Sequence, residues 1–126
     1  ILNDRGFTIY LIGSMENSPV AGAIDLRGKT TLAESLLLIK YAKLLMGINS
    51  FAEQAAHLYG TAAVILYGPT NPQCSLNPNQ LAVFGKSIVP YEEVEALKYD
   101  FPSMEEITVQ TVLEAAHHAL KDDLEV

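Results

Sequence analysis

The chain has 126 residues, 49% of them hydrophobic, with eight basic against fifteen acidic side chains and a net charge of −7. That length supports a core burying roughly two-thirds of the unfolded surface, while the acidic balance opposes non-specific attraction to nucleic acid or to an anionic membrane surface. A single cysteine, Cys74, excludes an internal disulfide, no Cys/His metal spacing is present, and no apolar run approaches the ~20 residues of a spanning helix.

In chain order, Ile1 to Gly6 lacks the basic start and apolar stretch of a signal peptide. It reads as the end of a helix with Gly6 past its terminus, which sets the expectation that the chain begins inside a domain. Phe7 to Ile12 is β-branched, aromatic and almost continuously apolar, which predicts a strand buried on both faces. Gly13-Ser14 ends it, a polar loop runs to Pro19, and Ala23 to Leu26 reads as a short second strand before Arg27-Gly28-Lys29. Thr30 or Thr31 is placed to cap a helix over Leu32 to Leu45, where Leu32, Leu36, Ile39 and Leu44 recur at helical spacing.

Leu45 to Ile48 reads as a short strand, and Ser50 with Glu53 makes the capping-box pattern for a helix ending near Gly60. Ala62 to Tyr67 predicts another buried strand, and Gly68-Pro69-Thr70-Asn71-Pro72 cannot continue a ladder because its prolines remove donors and fix φ. A loop to about Asn79, a short strand over Leu81 to Phe84 and a helical turn or two over Pro90 to Leu97 follow. Ser103 and Glu106 repeat the capping-box spacing before a closing helix striped by Ile107, Val109, Val112, Leu113, Ala116 and Leu120. Strands alternating with helices imply βαβ units. The predicted fold is therefore α/β, a Rossmann-like three-layer sandwich with a mostly parallel sheet of three to five strands, formed by residues 1–126 as one domain.

In such a sheet Asn49-Ser50 and the Gly68 to Asn71 loop both follow strand carboxyl ends, where open α/β sheets bind ligands. Ser50 then has two readings: part of an anion site at a helix amino end, or a helix cap closed by Glu53. Gly68-Pro69-Thr70-Asn71 is either a rigid polar binding loop or a Pro-stiffened connection. Lys29-Thr30, beside Arg27, is either a phosphate-neutralising cluster or a solvated loop capping the next helix. His57 reads as a packed or surface residue, His117 and His118 suit the carboxyl end of their helix, Cys74 has no identifiable base, and Glu92, Glu93 and Glu95 read as a solvated face.

Four segments, Leu26-Arg27-Gly28-Lys29-Thr30-Thr31-Leu32-Ala33-Glu34, Gly47-Ile48-Asn49-Ser50, Ala55-Ala56 with Gly60, and Leu66-Tyr67-Gly68-Pro69-Thr70-Asn71-Pro72, match in order and spacing those of a known family. Together with Ser103 to Val109 before the last helix, they resemble the carboxy-terminal half of the ADP-heptose:lipopolysaccharide heptosyltransferases, glycosyltransferase family 9. The resemblance implies the sugar-nucleotide (donor) domain of a two-domain GT-B enzyme, with Lys29, Thr30, Asn49, Ser50, Gln54, Gly68, Pro69, Thr70 and Asn71 facing the donor. It further implies inverting transfer to a lipid-linked or glycan acceptor in lipopolysaccharide synthesis, with the base on an amino-terminal acceptor domain and this chain inactive alone. No metal or cofactor is implied; the sugar nucleotide, ADP-linked in that family, is substrate. The expected location is cytoplasmic, at the inner membrane face.

Where the family has Asp-Ser/Thr-Gly and then His three residues on, this chain has Asn49-Ser50-Phe51 and Gln54. Asn49 is a neutral donor and acceptor in place of a charged acceptor, and Phe51 puts a ring where glycine lets backbone approach a phosphate. The segment after Gly13 is also short for the family. These departures keep open a non-catalytic binding or assembly module that retained the fold, and a flavodoxin-like regulatory domain.

Overall fold

The computed structural model describes residues 2–68, 76–84 and 105–120. They fall into two compact units, residues 1–38 and 39–126.

The first unit opens with a 3-10 turn, Asn3–Arg5, closed by Gly6 at φ 88°. This is the helical ending expected before Gly6, reduced to one turn. Strands β1 (Tyr10–Leu11) and β2 (Ile24–Asp25) pair in parallel, Tyr10 opposite Ile24. One further bond on each side, Ile24 N to Ile9 O at 2.7 Å and Leu26 N to Leu11 O at 2.9 Å, completes the ladder. The strand predicted over Phe7 to Ile12 is thus much shorter. It is not buried on both faces either, since Tyr10 is 51% exposed. Helix α1 (Leu32–Tyr41), whose last three residues belong to the second unit, ends four residues before Leu45, because Ala42 N turns back onto Ile39 O and the chain straightens into the next strand.

In the second unit, β3 (Leu45–Ile48), β4 (Ala63–Tyr67) and β5 (Gln80–Phe84) form one parallel sheet in that order. Leu45 lies opposite Ala63 and Ala63 opposite Gln80. Helix α2 (Phe51–Tyr59) connects β3 to β4, and α3 (Val109–Ala119) packs against β4 and β5. β4 is the buried centre, with Ala63, Val64, Ile65 and Tyr67 all inaccessible. β3 alternates, its Met46 and Ile48 exposed and its Leu45 and Gly47 half-buried. Ala55 and Ala56 form the buried stripe of α2, their small side chains letting the helix lie close to the sheet. Gly60 closes α2 at φ 70° by donating to Ala56 O and His57 O, as its position predicted. Ile39, Val83, Ala116 and Leu120 complete the core among the described residues. The architecture is the predicted one, α/β with a parallel sheet flanked by helices.

The closing helix begins later than its capping-box spelling suggested. Thr108, not Ser103, is its cap, with Oγ1 accepting from Thr111 N at 3.1 Å, and Glu106 precedes the helix. Ser103 and the turn expected over 90–97 lie outside the described residues.

Candidate ligand-binding site

Because β3 and β4 are parallel and Ile48 lies opposite Leu66, the chain leaves both strands at the same edge. Asn49-Ser50 emerges from β3 directly beside the Tyr67–Gly68 step that ends β4. Asn49 and Ser50 are exposed and Gly68 is half-buried. Ser50 is the N-cap of α2 with extended backbone, φ −158° and ψ −177°, yet its hydroxyl makes no capping bond. The first N–H groups of a helix have no intrahelical acceptor, so this corner presents backbone donors and the positive end of a helix dipole.

The expected partner in that cap is elsewhere. Glu53 is fully buried, and its Oε1 accepts from the Tyr67 hydroxyl at 3.1 Å. The Ser50–Glu53 capping box is therefore not formed. The helical phase that buries Ala56 also turns Glu53, three residues earlier, towards the sheet. Its Oε2 is buried with no hydrogen-bond partner among the described residues. The Glu53 carbonyl accepts from Gln80 Nε2 at 2.9 Å, and Gln80 Oε1 in turn accepts from Asn77 N at 3.2 Å. Gln54 is exposed, its Oε1 accepting from Asn77 Nδ2 at 3.3 Å. The pattern of apolar residues carried no signal for this network, which needs strand ends that are distant in sequence.

Of the residues expected to face a ligand, the second unit thus gathers Asn49, Ser50 and Gly68 at one strand edge and ties Gln54 to the turn before β5. Pro69, Thr70 and Asn71, with Cys74, lie outside the described residues. Phe51, where the related motif has glycine, is 51% exposed at the start of α2.

In the first unit Lys29 and Thr30 follow the carboxyl end of β2. Lys29 Nζ donates to Asp25 O at 3.2 Å, and Thr30 Oγ1 lies 2.7 Å from Ser35 Oγ. Arg27 is buried and committed to Asp25: Nε donates to Oδ1 at 2.9 Å and Nη2 to Oδ2 at 2.8 Å, while Nη1 donates to Asn17 O. These bonds, with a further one from Arg27 N, hold the Asp25 carboxyl well below the usual carboxylate range and raise the Arg27 guanidinium. Arg27 is accordingly a clamp on the loop after β1, and of the positive cluster read from the sequence Lys29 is the exposed member. Gly28 adopts φ 65°, and a Cβ there would fall 2.8 Å from Met15 Cγ.

At the opposite, amino edge of the three-stranded sheet lies a shallow cleft of about 280 Å³, lined by residues including His57, Thr61, Asn79 and Gln80. His57 is exposed, as are His117 and His118 in the last turn of α3. Among the described residues no group of three or more His, Cys, Asp or Glu side chains is placed to hold a metal ion. No described helix is long and apolar enough to cross a membrane.

Fold and site together define an α/β domain of Rossmann-like build whose polar corners project from the carboxyl ends of neighbouring parallel strands. Two solved structures share this fold. A family 9 glycosyl transferase from Veillonella parvula DSM 2008 superposes with a TM-score of 0.78 at 17% identity, over 96% of this chain and 38% of that one. The E. coli ADP-heptose lps heptosyltransferase II superposes with a TM-score of 0.75 at 23% identity, over 97% of this chain and 39% of that one. This chain thus spans under two-fifths of the length of either structure. The resemblance read from its four segments is matched in three dimensions at the level of the fold. No protein-family model matches the sequence, and no curated protein does.

Proposed function

We propose that this chain is the sugar-nucleotide-binding part of an inverting glycosyltransferase of GT-B build, resembling the heptosyltransferases of lipopolysaccharide or cell-surface glycan synthesis. One observation carries the reading: the Asn49-Ser50 corner, whose Ser50 hydroxyl makes no capping bond, lies beside the Tyr67–Gly68 step at the edge where open α/β sheets bind ligands. The diphosphate sits against the amino end of α2, and Asn49 and Ser50 hydrogen-bond diphosphate or sugar. Gly68 stands at the end of β4 beside them, and Lys29, Thr30, Pro69, Thr70 and Asn71 are the further donor residues that the family resemblance implies. The donor is an ADP-linked or related sugar nucleotide, with no metal or other cofactor. The catalytic base and the lipid-linked or glycan acceptor belong to an amino-terminal domain, and the enzyme works in the cytoplasm at the inner membrane face. The likeness to the two glycosyltransferase structures supports this reading through the fold.

Phe51 at the start of α2 and the engagement of Gln54 with Asn77 favour a second reading, a non-catalytic module that kept the fold and lost the donor site. Titration of the chain with ADP, UDP, GDP and CDP, followed by amide chemical shifts, separates the two. Saturable binding of one nucleotide, with shifts at Asn49, Ser50 and Gly68, is the expected outcome. No shift at millimolar nucleotide selects the module.

A further inference from the structure

The buried Glu53 lies one residue from the exposed Gln54, and between them the two touch both sides of the connection that leaves β4 and returns to β5. On the departing side, Tyr67 is the last residue of β4, and its hydroxyl ends on Glu53 Oε1. On the returning side, Gln80 opens β5, and its amide spans from Glu53 O to Asn77 N, while the Asn77 side chain reaches Gln54 Oε1. Glu53, Gln80, Asn77 and Gln54 therefore close a ring of polar contacts, with Tyr67 attached to its buried corner.

Among the described residues one oxygen of this buried carboxyl has no partner, a costly arrangement that asks what its other bonds hold in place. An apolar residue of similar size would fill the space against β4 without that penalty. What Glu53 fixes is the distance between the first turn of α2 and the two points where the β4–β5 connection begins and ends. Ser50 is the N-cap of α2, three residues before Glu53, so the Asn49-Ser50 corner adjoins the turn that Glu53 anchors.

We propose that Glu53 is a positioning residue of the ligand edge: through Tyr67 and Gln80 it holds the β3 and β4 corners and the turn before β5 at one fixed separation. The inference rests on the donor-site reading only for the identity of the ligand.

The test uses the whole chain. Tyr67→Phe removes one hydroxyl and leaves the ring in place, Glu53→Gln keeps an acceptor for that hydroxyl, and Gln80→Leu cuts the returning side alone. Amide exchange of Gly68 rises about fivefold in Tyr67→Phe, the size of one net hydrogen bond, while exchange in α3 is unchanged. Glu53→Gln stays within about twofold of wild type at Gly68, and Gln80→Leu raises exchange at Asn77. The nucleotide diphosphate that the wild-type chain binds loses several-fold in affinity in Tyr67→Phe, measured well below the melting temperature of either chain. Wild-type exchange at Gly68 in Tyr67→Phe overturns the proposal, as does a rise spread evenly into α3 or an unchanged nucleotide affinity beside faster exchange at Gly68. A wild-type chain that binds no nucleotide removes the donor-site reading, and the exchange results then decide the role of Glu53 by themselves.

Discussion

The starts of α1 and α2 carry the same spelling, a hydroxyl residue followed three positions later by glutamate, and fold it differently. At α1 the box closes: Glu34 N donates to Thr31 Oγ1 at 3.2 Å, and Thr31 N donates to Glu34 Oε1 at 2.9 Å. At α2 neither bond forms, Ser50 faces solvent, and Glu53 lies inside against Tyr67. The difference is where the third residue of each helix points. Glu34 is exposed and has no better partner than the backbone behind it, whereas Glu53 shares the buried stripe of α2 with Ala56. A capping pattern is realised only where tertiary packing leaves its side chains at the surface. Where packing claims the acid, the hydroxyl at the helix amino end is left without the reciprocal bond that would close the box.

The strongest way to break this comparison is Glu53→Ala. It removes a fully buried side chain and the acceptor of the Tyr67 hydroxyl bond, so a loss of about 2–4 kcal/mol in urea unfolding is expected. A surface-like loss of a few tenths would mean that Glu53 is a failed cap rather than a core residue. Next in size, Thr31→Ala costs about 1 kcal/mol, because a formed cap is lost, whereas Ser50→Ala changes stability by no more than a few tenths. The same Ser50 variant weakens nucleotide binding if its hydroxyl serves the ligand, so equal stability losses at Thr31 and Ser50 would erase the contrast.

The smallest effect is a pH dependence confined to α1. Bonds from the Thr31 backbone and hydroxyl lower the Glu34 carboxyl below its ordinary value. The folded-state value is the depressed one, so this support is present above the unfolded value of about 4.3 and fades as pH falls through the folded one. Amide exchange at the start of α1 should rise as the solution is acidified below about pH 4, beyond the intrinsic rate, and Glu34→Gln should flatten that change.

The central strands and the described helices were legible from different signals: α1 and α3 from apolar stripes at helical spacing, α2 from its hydroxyl-to-glutamate spelling and Gly60. Ala63 to Tyr67 is a continuous apolar run, and it became the buried middle of the sheet. Gly60 marked its helix end by the left-handed backbone that glycine adopts without penalty. Phe7 to Ile12 misled for the opposite reason. An apolar run states that a segment tends to be buried and says nothing of how many residues find a partner strand, which β2 limited to two. The candidate site was legible in part. Asn49, Ser50 and Gly68 follow strand ends, and pairing of β3 with β4 made them neighbours. Gln54, expected at the ligand, also accepts from Asn77, a contact between residues 23 positions apart that no local pattern encodes. Arg27 read as part of a positive cluster, but Asp25 two residues before it takes the charge.

The sequence by itself determined the α/β class, the order of elements, the turns at Gly6 and Gly60, and the strand-end positions of the polar corners. All of these follow from local backbone preference and from the period of hydrophobic burial. Only the tertiary structure decided which strands pair, which of two identical capping patterns closes, and that an acidic residue spelled as a cap becomes the buried link between α2, β4 and β5. Those outcomes depend on which groups distant in the chain meet in space. A glutamate's bonds are chosen there by competition between solvent, its own backbone and the partners that packing brings within reach.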